Sequence, residues 1–312
     1  MTLTAWHDEF WPVIEGSVRP ATARGYSVAW RLRVQPSLGS AKLSAITPTM
    51  IEAAMARWSG SASTKIDALS LLSRLLDAAR RGRLVDVNAA LDVARPRDEI
   101  TEDITSRALS MEEVLVFLDL IPAGHYRRFA AVLAFTGMRA GELTAVRVRD
   151  VDFTNRVIIV GRSYSPGRNG ELILQGTKGR KLRHVPLIDA LQPYAKEAAV
   201  AKAPDALLFD GILGGRLTGG TFKRAVGWEM IRSVLGRPDF KVKDLRHTFA
   251  TMMLDAGVSA NDTKDVLGHS SLQVTDIYTR ARAASRAAAV LDNHINGPEM
   301  VQKHEMKGEA KD

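Results

Sequence analysis

Cysteine is absent from the 312 residues of this chain, which excludes disulfide bonds and thiolate metal sites. Long hydrophobic runs are also absent: no stretch approaches 18 consecutive apolar residues, so the sequence predicts no membrane-spanning helix. The N-terminus MTLTAWHDEFWPV has no basic segment ahead of an apolar core and therefore does not resemble a secretory signal. Together these absences favour a protein of a reducing cytoplasm.

What the chain does have is length and positive charge. Its 312 residues suit two domains of ordinary size, and 46% hydrophobic with 25% charged residues predicts a folded protein. Because 43 Lys and Arg stand against 35 Asp and Glu, the net charge is +8, which favours polyanionic partners. No cluster of Asp and Glu has metal-ligand spacing, so no divalent metal or other cofactor is expected.

Residues 1–94 are predicted to be entirely helical. Thr22 is expected to cap one helix, and Thr47 followed by Pro48 to open another. A longer helix should end at Gly82, since its leucines keep three-and-four spacing up to that point. Up to Arg97 the chain has 13 Lys and Arg against 8 Asp and Glu. A charged face is most often simply solvated, but the cations of the longer helix are candidate DNA contacts: Lys65, Arg74, Arg80 and Arg81.

An interdomain linker is predicted at residues 95–107, where RPRDEITEDITSR breaks the helical period and turns acidic. A second domain should cover 108–295, and the charged segment 296–312 should be a disordered tail. Ser110 and Glu113 form a capping-box pattern at the start of this domain. A helix from about Tyr126 should stop near Gly137 and deliver Arg139 into a turn. Taken alone, Arg139 is most simply one half of a surface ion pair.

Three strands are predicted next, from RVIIV, ELILQ and KLRHVPL, with SPGRNG as an unusually long turn. They predict a small three-stranded antiparallel sheet in a mainly helical domain. The tight GTKGR turn places Lys178 at a hairpin tip. Arg180, Lys181 and Arg183 crowd the same hairpin. Most simply they are a solvated strand edge, and on DNA they would contact backbone phosphates.

Residues 243–280, KDLRHTFATMMLDAGVSANDTKDVLGHSSLQVTDIYTR, predict three short helices. In the first, Lys243 and Arg246 lie together on the face opposite the apolar residues, which recur at helical spacing: Leu245, Phe249, Met252, Met253 and Ala256. Gly257 should end that helix, and Gly268 should form a left-handed cap that ends the second. The helices after these glycines begin with capping-box patterns, Ser259 with Asp262 and Ser270 with Gln273.

His269 and Tyr278 bracket the third helix of this stretch. Taken singly, a tyrosine here is more often a half-buried core residue, and a histidine after glycine is more often solvated. A tyrosine near two cations and a histidine nevertheless suits attack on a phosphate. The tyrosine is the nucleophile, the two cations stabilise the negative charge and the histidine donates a hydrogen bond. The combination therefore favours phosphate chemistry over either single interpretation.

These motifs resemble the tyrosine recombinases, or phage integrase family, in which a His or its substitute is followed three residues later by Arg, then LGH, then Tyr. Lys243, Arg246, His269 and Tyr278 occupy those places, although Lys243 stands where most members have His. TGMRAGEL, which contains Arg139, resembles the family's first arginine motif, and TKG resembles its lysine hairpin. The resemblance covers nearly the whole chain.

The resemblance implies a multidomain α and α+β protein: an all-α four-helix, SAM-like core-binding domain before the catalytic domain. It implies that Tyr278 attacks a DNA phosphate to leave a 3′-phosphotyrosine and a free 5′-hydroxyl, and that Lys178 is the general acid. Arg139 and Arg246 suit the non-bridging oxygens because a guanidinium holds two phosphate oxygens at once. His269 would donate to the same phosphate.

The expected function is therefore that of a phage or prophage integrase that works as a homotetramer on double-stranded DNA core sites in the bacterial cytoplasm. Accessory or directionality proteins are further candidate partners, and a helix near residues 281–295 is expected to dock on a neighbouring subunit. The core-binding helices begin within about 20 residues of Met1, so no separate arm-binding domain is expected before them. A cellular Xer-like or transposon recombinase is an alternative within the family. A non-cleaving DNA-binding protein of the same fold is an alternative outside this chemistry.

Overall fold

A computed structural model describes residues 1–97, 107–167, 171–176, 182–212 and 214–268. The chain divides into two compact units. The N-terminal unit comprises Met1–Thr101 with Ser165–Leu174, and the C-terminal unit comprises Glu102–Tyr164 with Gln175–Asp312. The predicted linker at 95–107 lies partly outside the described residues, so the predicted domain boundaries stay predictions. No helix within the described ranges is long and apolar enough to cross a membrane.

Up to Arg81 the regular structure of the N-terminal unit is helical, with one isolated β-bridge between Thr2 and Lys42, and residues 82–97 form turns and bends without a helix. The side chains of this unit pack around tryptophans and leucines, including Trp6, Trp30 and Trp58, all at most 7% exposed. The predicted helical character is therefore confirmed up to Arg81, but it is wrong for residues 82–94, which contain no helix. The helices are α1 Leu3–Ser17, α2 Pro20–Ala29, a π-helix Trp30–Val34, α3 Gln35–Leu38, a 3-10 turn Leu43–Ala45, α4 Pro48–Arg57 and α5 Ala62–Arg81.

Two of the three helix ends predicted here are confirmed. The Thr47 hydroxyl accepts a hydrogen bond from Met50 N at 3.2 Å, with Pro48 at the first helical position of α4. Helix α5 ends at Gly82 as expected. The prediction that Thr22 caps α2 is wrong, because the helix begins two residues earlier, at Pro20. The proline ring fixes φ at a helical value, and the main-chain carbonyl of Arg19 accepts from the N–H groups of Thr22 and Ala23 without a side-chain cap.

His7 is buried between two indole rings in this unit. Its ring stacks on Trp30 with centroids 3.8 Å apart and lies 5.4 Å from the ring of Trp11. Its Nδ1 is 2.9 Å from a carboxylate oxygen of Asp8. Burial lowers the pKa of His7, and the neighbouring Asp8 only partly opposes this.

The C-terminal unit begins with α6 Met111–Asp119, whose capping box is confirmed. The Ser110 hydroxyl accepts from Glu113 N at 3.1 Å, and the Glu113 carboxylate accepts from Ser110 N at 2.8 Å. Aromatic side chains of several helices form the core, among them Phe129 and Phe222, with centroids 5.1 Å apart. The remaining helices before the C-terminal stretch are α7 His125–Thr136, α8 Ala140–Leu143, α9 Gln192–Ala199, α10 Gly219–Ala225 and α11 Trp228–Val234.

The strands are β1 Val151–Asp152, β2 Val157–Val160, β3 Arg162–Pro166, β4 Leu172–Gly176 and β5 Arg183–Pro186. A three-stranded antiparallel sheet is confirmed, but its order is β1-β2-β5. The predicted ELILQ strand, β4, instead pairs with β3 in a separate two-stranded sheet. Because β2 and β5 pair directly, from Val157 opposite Pro186 to Val160 opposite Arg183, β3 and β4 form an excursion between them.

Two helices of the C-terminal stretch lie within the described residues: α12 Asp244–Asp255 and α13 Ala260–Leu267. The Ser259 hydroxyl accepts from Asp262 N at 3.0 Å, and Gly268 closes α13 at φ +67°, so both predicted ends are confirmed. Leu245 and Phe249 are buried as predicted, but Ala256 is exposed beyond the end of α12. The third predicted helix, from Ser270, lies outside the described residues.

Candidate active site

Arg139 lies in the turn between α7 and α8, where the sequence places it. Helix α7 stops because Gly137 adopts φ +60°, and α8 begins directly after Arg139. The Arg139 guanidinium donates to Glu142 Oε1 at 2.9 Å, and its main-chain N–H donates to Glu142 Oε2 at 2.8 Å. The side chain is still 47% exposed. Arg139 thus forms the helix-end ion pair that the simpler interpretation expects, while its guanidinium remains accessible.

Glu142 is the buried anion of the site, with a side chain only 3% exposed. Burial alone would raise the pKa of its carboxyl, but the hydrogen bonds and charge of Arg183 and the charge of Arg139 outweigh it and lower the pKa to about 2. Glu142 is therefore ionised at neutral pH. A buried charge of this kind depends on its partners, since removing one partner of a buried pair costs about 3–5 kcal/mol.

Arg183, on β5, supplies the second cation to Glu142. Its two terminal nitrogens donate to the two carboxylate oxygens at 3.0 and 2.6 Å, and its Nε donates to the carbonyl of Val266 at 3.0 Å. The side chain is only 11% exposed. The interpretation of Arg183 as a solvated residue at a strand edge is therefore wrong, because its guanidinium binds the buried carboxylate of Glu142. This placement also does not support a contact of Arg183 with DNA phosphates.

Arg246, on α12, is held by main-chain carbonyls. Nη1 donates to the carbonyl of Gly137 at 2.8 Å, and Nη2 donates to the carbonyl of Leu267 at 2.5 Å. Gly137 lies two residues before Arg139, and Leu267 directly follows Val266, which binds Arg183. Arg139, Arg183 and Arg246 therefore belong to one connected set of contacts, although they come from three separate elements.

Lys243 is the residue that precedes α12, and it is exposed. The neighbouring His247 is 23% exposed. Burial lowers the pKa of His247, Asp244 opposes this, and the charges of Lys243, Arg246 and Arg107 add to the lowering. The start of α12 thus carries a local excess of positive charge, as expected for a surface that receives an anion.

Five of the predicted site residues lie outside the described residues: Lys178, Arg180, Lys181, His269 and Tyr278. Their predicted roles therefore stay predictions.

The predicted DNA contacts of the N-terminal unit all lie on α5. Arg80 and Arg81 both bind Asp77, at 2.9 and 2.7 Å, and both are largely exposed. The Arg74 guanidinium lies 6.0 Å from the centroid of the Tyr26 ring. Exposed ion pairs of this kind contribute only about 0–1 kcal/mol, so a phosphate can compete for these arginines at little cost. The predicted DNA contacts, Lys65 included, stay predictions.

Glu142 is a member of the site that was not predicted from the sequence. A glutamate three residues after a helix-start residue has the spacing of a capping box, and that signal is present at Arg139. The partnership with Arg183 spans 41 residues, and no local pattern predicts it. Among the described residues, no group of three or more His, Cys, Asp or Glu side chains could hold a metal ion.

Comparison with known proteins finds relatives over most of the chain. Residues 108–285 match the phage integrase family, and residues 2–59 match the phage integrase N-terminal SAM-like domain. The integrase of Mycobacterium phage FRAT1 is 27% identical over 286 residues, which are 87% of this chain and 82% of that protein. Tyrosine recombinase XerC of Corynebacterium efficiens is 33% identical over 178 residues, 54% of this chain and 51% of that protein.

Solved structures share the fold. The Tn1549 transposon integrase in complex with a circular intermediate DNA superposes with a TM-score of 0.76 at 18% identity, over 92% of this chain and 99% of that chain. A lambda integrase tetramer bound to a Holliday junction superposes with a TM-score of 0.66 at 18% identity, over 87% of this chain and 78% of that chain.

The fold and the two family matches define the class of protein: a tyrosine-type site-specific recombinase, an enzyme that breaks and rejoins DNA strands. The N-terminal unit contains the SAM-like helical domain expected from the sequence. The chain belongs to the phage integrase family.

Proposed function

We propose that this recombinase is a phage or prophage integrase that cleaves DNA through Tyr278. The tyrosine hydroxyl attacks a backbone phosphate, forms a 3′-phosphotyrosine and releases a 5′-hydroxyl. The energy of the broken phosphodiester is kept in the new ester, so the 5′-hydroxyl of a partner strand rejoins the DNA without ATP.

The proposed roles at the phosphate follow from the chemistry of each side chain. Arg139 and Arg246 hold the non-bridging oxygens, since planar guanidinium groups bind phosphate at two points and stay charged at every relevant pH. His269 donates a hydrogen bond to the same phosphate. Lys178 protonates the leaving 5′-oxygen as the general acid. Lys243 supplies positive charge.

One observation carries this proposal: Arg246 is anchored on the carbonyl of Gly137, 109 residues away in sequence and two residues before Arg139. The contact brings the two arginine motifs to one place. Glu142 orients the Arg139 side chain while leaving it 47% exposed, so its guanidinium is both ordered and accessible. An ordered pair of this kind provides preorganised charge for a phosphate transition state.

The proposed assembly is a homotetramer that pairs two core DNA sites and exchanges strands through a Holliday junction. The lambda integrase that shares this fold has been solved as a tetramer bound to such a junction, which supports this arrangement. Residues 1–94 would bind the core DNA as a basic helical domain, and residues 108–295 would form the catalytic domain. The enzyme would act in the bacterial cytoplasm, where accessory or directionality proteins are candidate partners.

The phage-type assignment is preferred to a Xer-like one because the phage integrases align over more of the chain. The integrase of Mycobacterium phage FRAT1 spans 87% of it, whereas the XerC recombinases of Corynebacterium efficiens and Bacillus licheniformis span 54% and 74%.

Covalent trapping on a nicked suicide duplex tests the proposed chemistry. The parent protein should form an SDS-stable protein–DNA adduct, and Tyr278→Phe should bind the same duplex with similar affinity but form none, since it loses only the nucleophilic hydroxyl. An adduct in the Tyr278→Phe variant would move the nucleophile to another tyrosine, and Tyr164, Tyr126 and Tyr194 would be tested. Failure of the parent to form any adduct would favour a non-cleaving DNA-binding protein.

A further inference from the structure

Arg183 occupies a junction between three elements of the C-terminal unit. It belongs to β5, both its terminal nitrogens bind Glu142 of α8, and its Nε binds the carbonyl of Val266 near the end of α13. The next carbonyl along α13, that of Leu267, accepts from Arg246. One side chain of β5 is thus in direct contact with the group that orients Arg139 and with the helix end that holds Arg246.

The space around this junction leaves little freedom for Arg183. Gly268 lies against it, and a Cβ at that position would be 3.0 Å from Arg183 Cδ and 3.3 Å from Nη1. The side chain is 11% exposed, and the carboxylate that it binds is 3% exposed. A guanidinium with its Nε and both terminal nitrogens bonded in a buried setting holds its partners in a defined relative position.

The charges of the junction also matter for Arg139. Arg139 and Glu142 alone would form a neutral pair, and the carboxylate would cancel much of the positive potential that Arg139 offers to a phosphate. With Arg183 present, two cations share one carboxylate and the group carries a net positive charge. Arg183 therefore leaves Arg139 oriented by Glu142 but not neutralised by it.

We propose that Arg183 is a positioning residue for DNA cleavage: it clamps Glu142 and the end of α13 so that Arg139 and Arg246 face the phosphate together with net positive charge. This inference rests on the proposed function. It replaces a direct contact of Arg183 with DNA, because Arg183 acts here through Glu142 and the carbonyl of Val266.

The test compares single-turnover cleavage and DNA affinity on the nicked suicide duplex for five variants of the full chain. They are Arg183→Gln, Arg183→Lys, Glu142→Gln, the double variant Glu142→Gln with Arg183→Gln, and the control Arg237→Gln. Arg237 is a matched control because it also binds one carboxylate through two nitrogens, at Glu113, and that carboxylate caps α6 instead of orienting Arg139. Melting temperatures of all variants identify any that fail to fold.

Arg183→Gln should cleave about 10²-fold more slowly than the parent, the scale expected for misplaced catalytic groups, while its DNA affinity stays close to the parent's. Arg183→Lys should recover part of the rate, because it keeps the charge but loses the two-point bond and the Nε contact. The rate losses of Glu142→Gln and Arg183→Gln should not multiply in the double variant, since both substitutions break the pair between Glu142 and Arg183. Arg237→Gln should cleave at the parent rate.

Three results would overturn the inference: parental cleavage by Arg183→Gln, a rate loss fully explained by weaker DNA binding, or losses in the double variant that simply multiply. If Arg183→Gln does not fold, parental cleavage by a folded Arg183→Lys overturns it instead. The parent enzyme separates this outcome from a failure of the proposed function. An adduct formed by the parent upholds the chemistry whatever the Arg183 variants do.

Discussion

Replacing Gly137 with alanine should destabilise the C-terminal unit through two separate effects. Gly137 has φ +60°, a conformation that costs a residue with a Cβ about 1–2 kcal/mol. A Cβ there would also lie 2.4 Å from Phe249 Cδ1 and 2.7 Å from Leu267 Cδ2, and both of these side chains are buried. Overpacking a filled core costs about 1–3 kcal/mol, so the two effects together predict about 2–5 kcal/mol.

Gly236→Ala is the matched control for this substitution. Gly236 has nearly the same backbone conformation, φ +63°, but an added Cβ would meet nothing within 4 Å. It should therefore show the backbone cost alone. For a unit of about 200 residues, each kcal/mol lowers the melting temperature by about 2–4 °C. Scanning calorimetry should accordingly show a clearly larger fall for Gly137→Ala than for Gly236→Ala.

Equal falls in melting temperature for the two alanine variants would refute this reasoning. They would mean that Phe249 and Leu267 move aside without cost, and that the close approach of α7, α12 and α13 around Gly137 is not a tightly packed contact. A fall confined to Gly137→Ala would show the opposite error, since the left-handed conformation would then cost nothing at Gly236.

Three further predictions concern charge and protonation. If Lys243 only stabilises negative charge, Lys243→Arg should keep much of the single-turnover cleavage rate while Lys243→Ala loses about 10²-fold; parental cleavage by the alanine variant would remove Lys243 from the catalytic set. Cleavage should persist in excess EDTA without nucleotide, because side-chain cations supply the stabilising charge, and a strict requirement for added Mg²⁺ would contradict this. Folded His7 binds a proton more weakly than unfolded His7, so its contribution to stability is full above pH 6.5 and is lost as the pH falls. As the pH is lowered from about 7.5 to about 5.5, the melting temperature of His7→Phe should therefore rise relative to that of the parent protein. A difference in melting temperature that does not change with pH would contradict this assignment to His7.

Helix ends were the most predictable part of the fold. The caps at Thr47, Ser110 and Ser259 each involve a side chain and a main-chain N–H three residues apart, so the information lies within one helical turn. The failure at Thr22 has the same local origin. Pro20 offers a second start signal, and it prevails because its ring fixes the first helical residue.

The parts that sequence analysis missed depend on contacts between distant segments. Strand β3 has the sequence RSYSP, which shows no apolar alternation and contains a proline, so its pairing with β4 could not be predicted from its own residues. The pairing of Arg183 with Glu142 is likewise invisible in either segment. From the sequence alone, an arginine on a strand is expected to be solvated. Only the folded structure shows that the buried carboxylate of Glu142 binds Arg183. The arginine motifs were recognisable, whereas the residues that hold them in place were not.

The acceptors that hold Arg246 belong to the main chain, and this has a consequence for evolution. A carbonyl oxygen is present whatever side chain its residue carries, so mutation at Leu267 cannot delete the acceptor. Whether a substitution at Gly137 or Leu267 is tolerated depends on packing and backbone conformation, because the carbonyl that binds Arg246 remains in every case. Arg246 should therefore leave no trace of covariation with the residues that bind it. Homologous sequences would reveal the arginine but not its anchors.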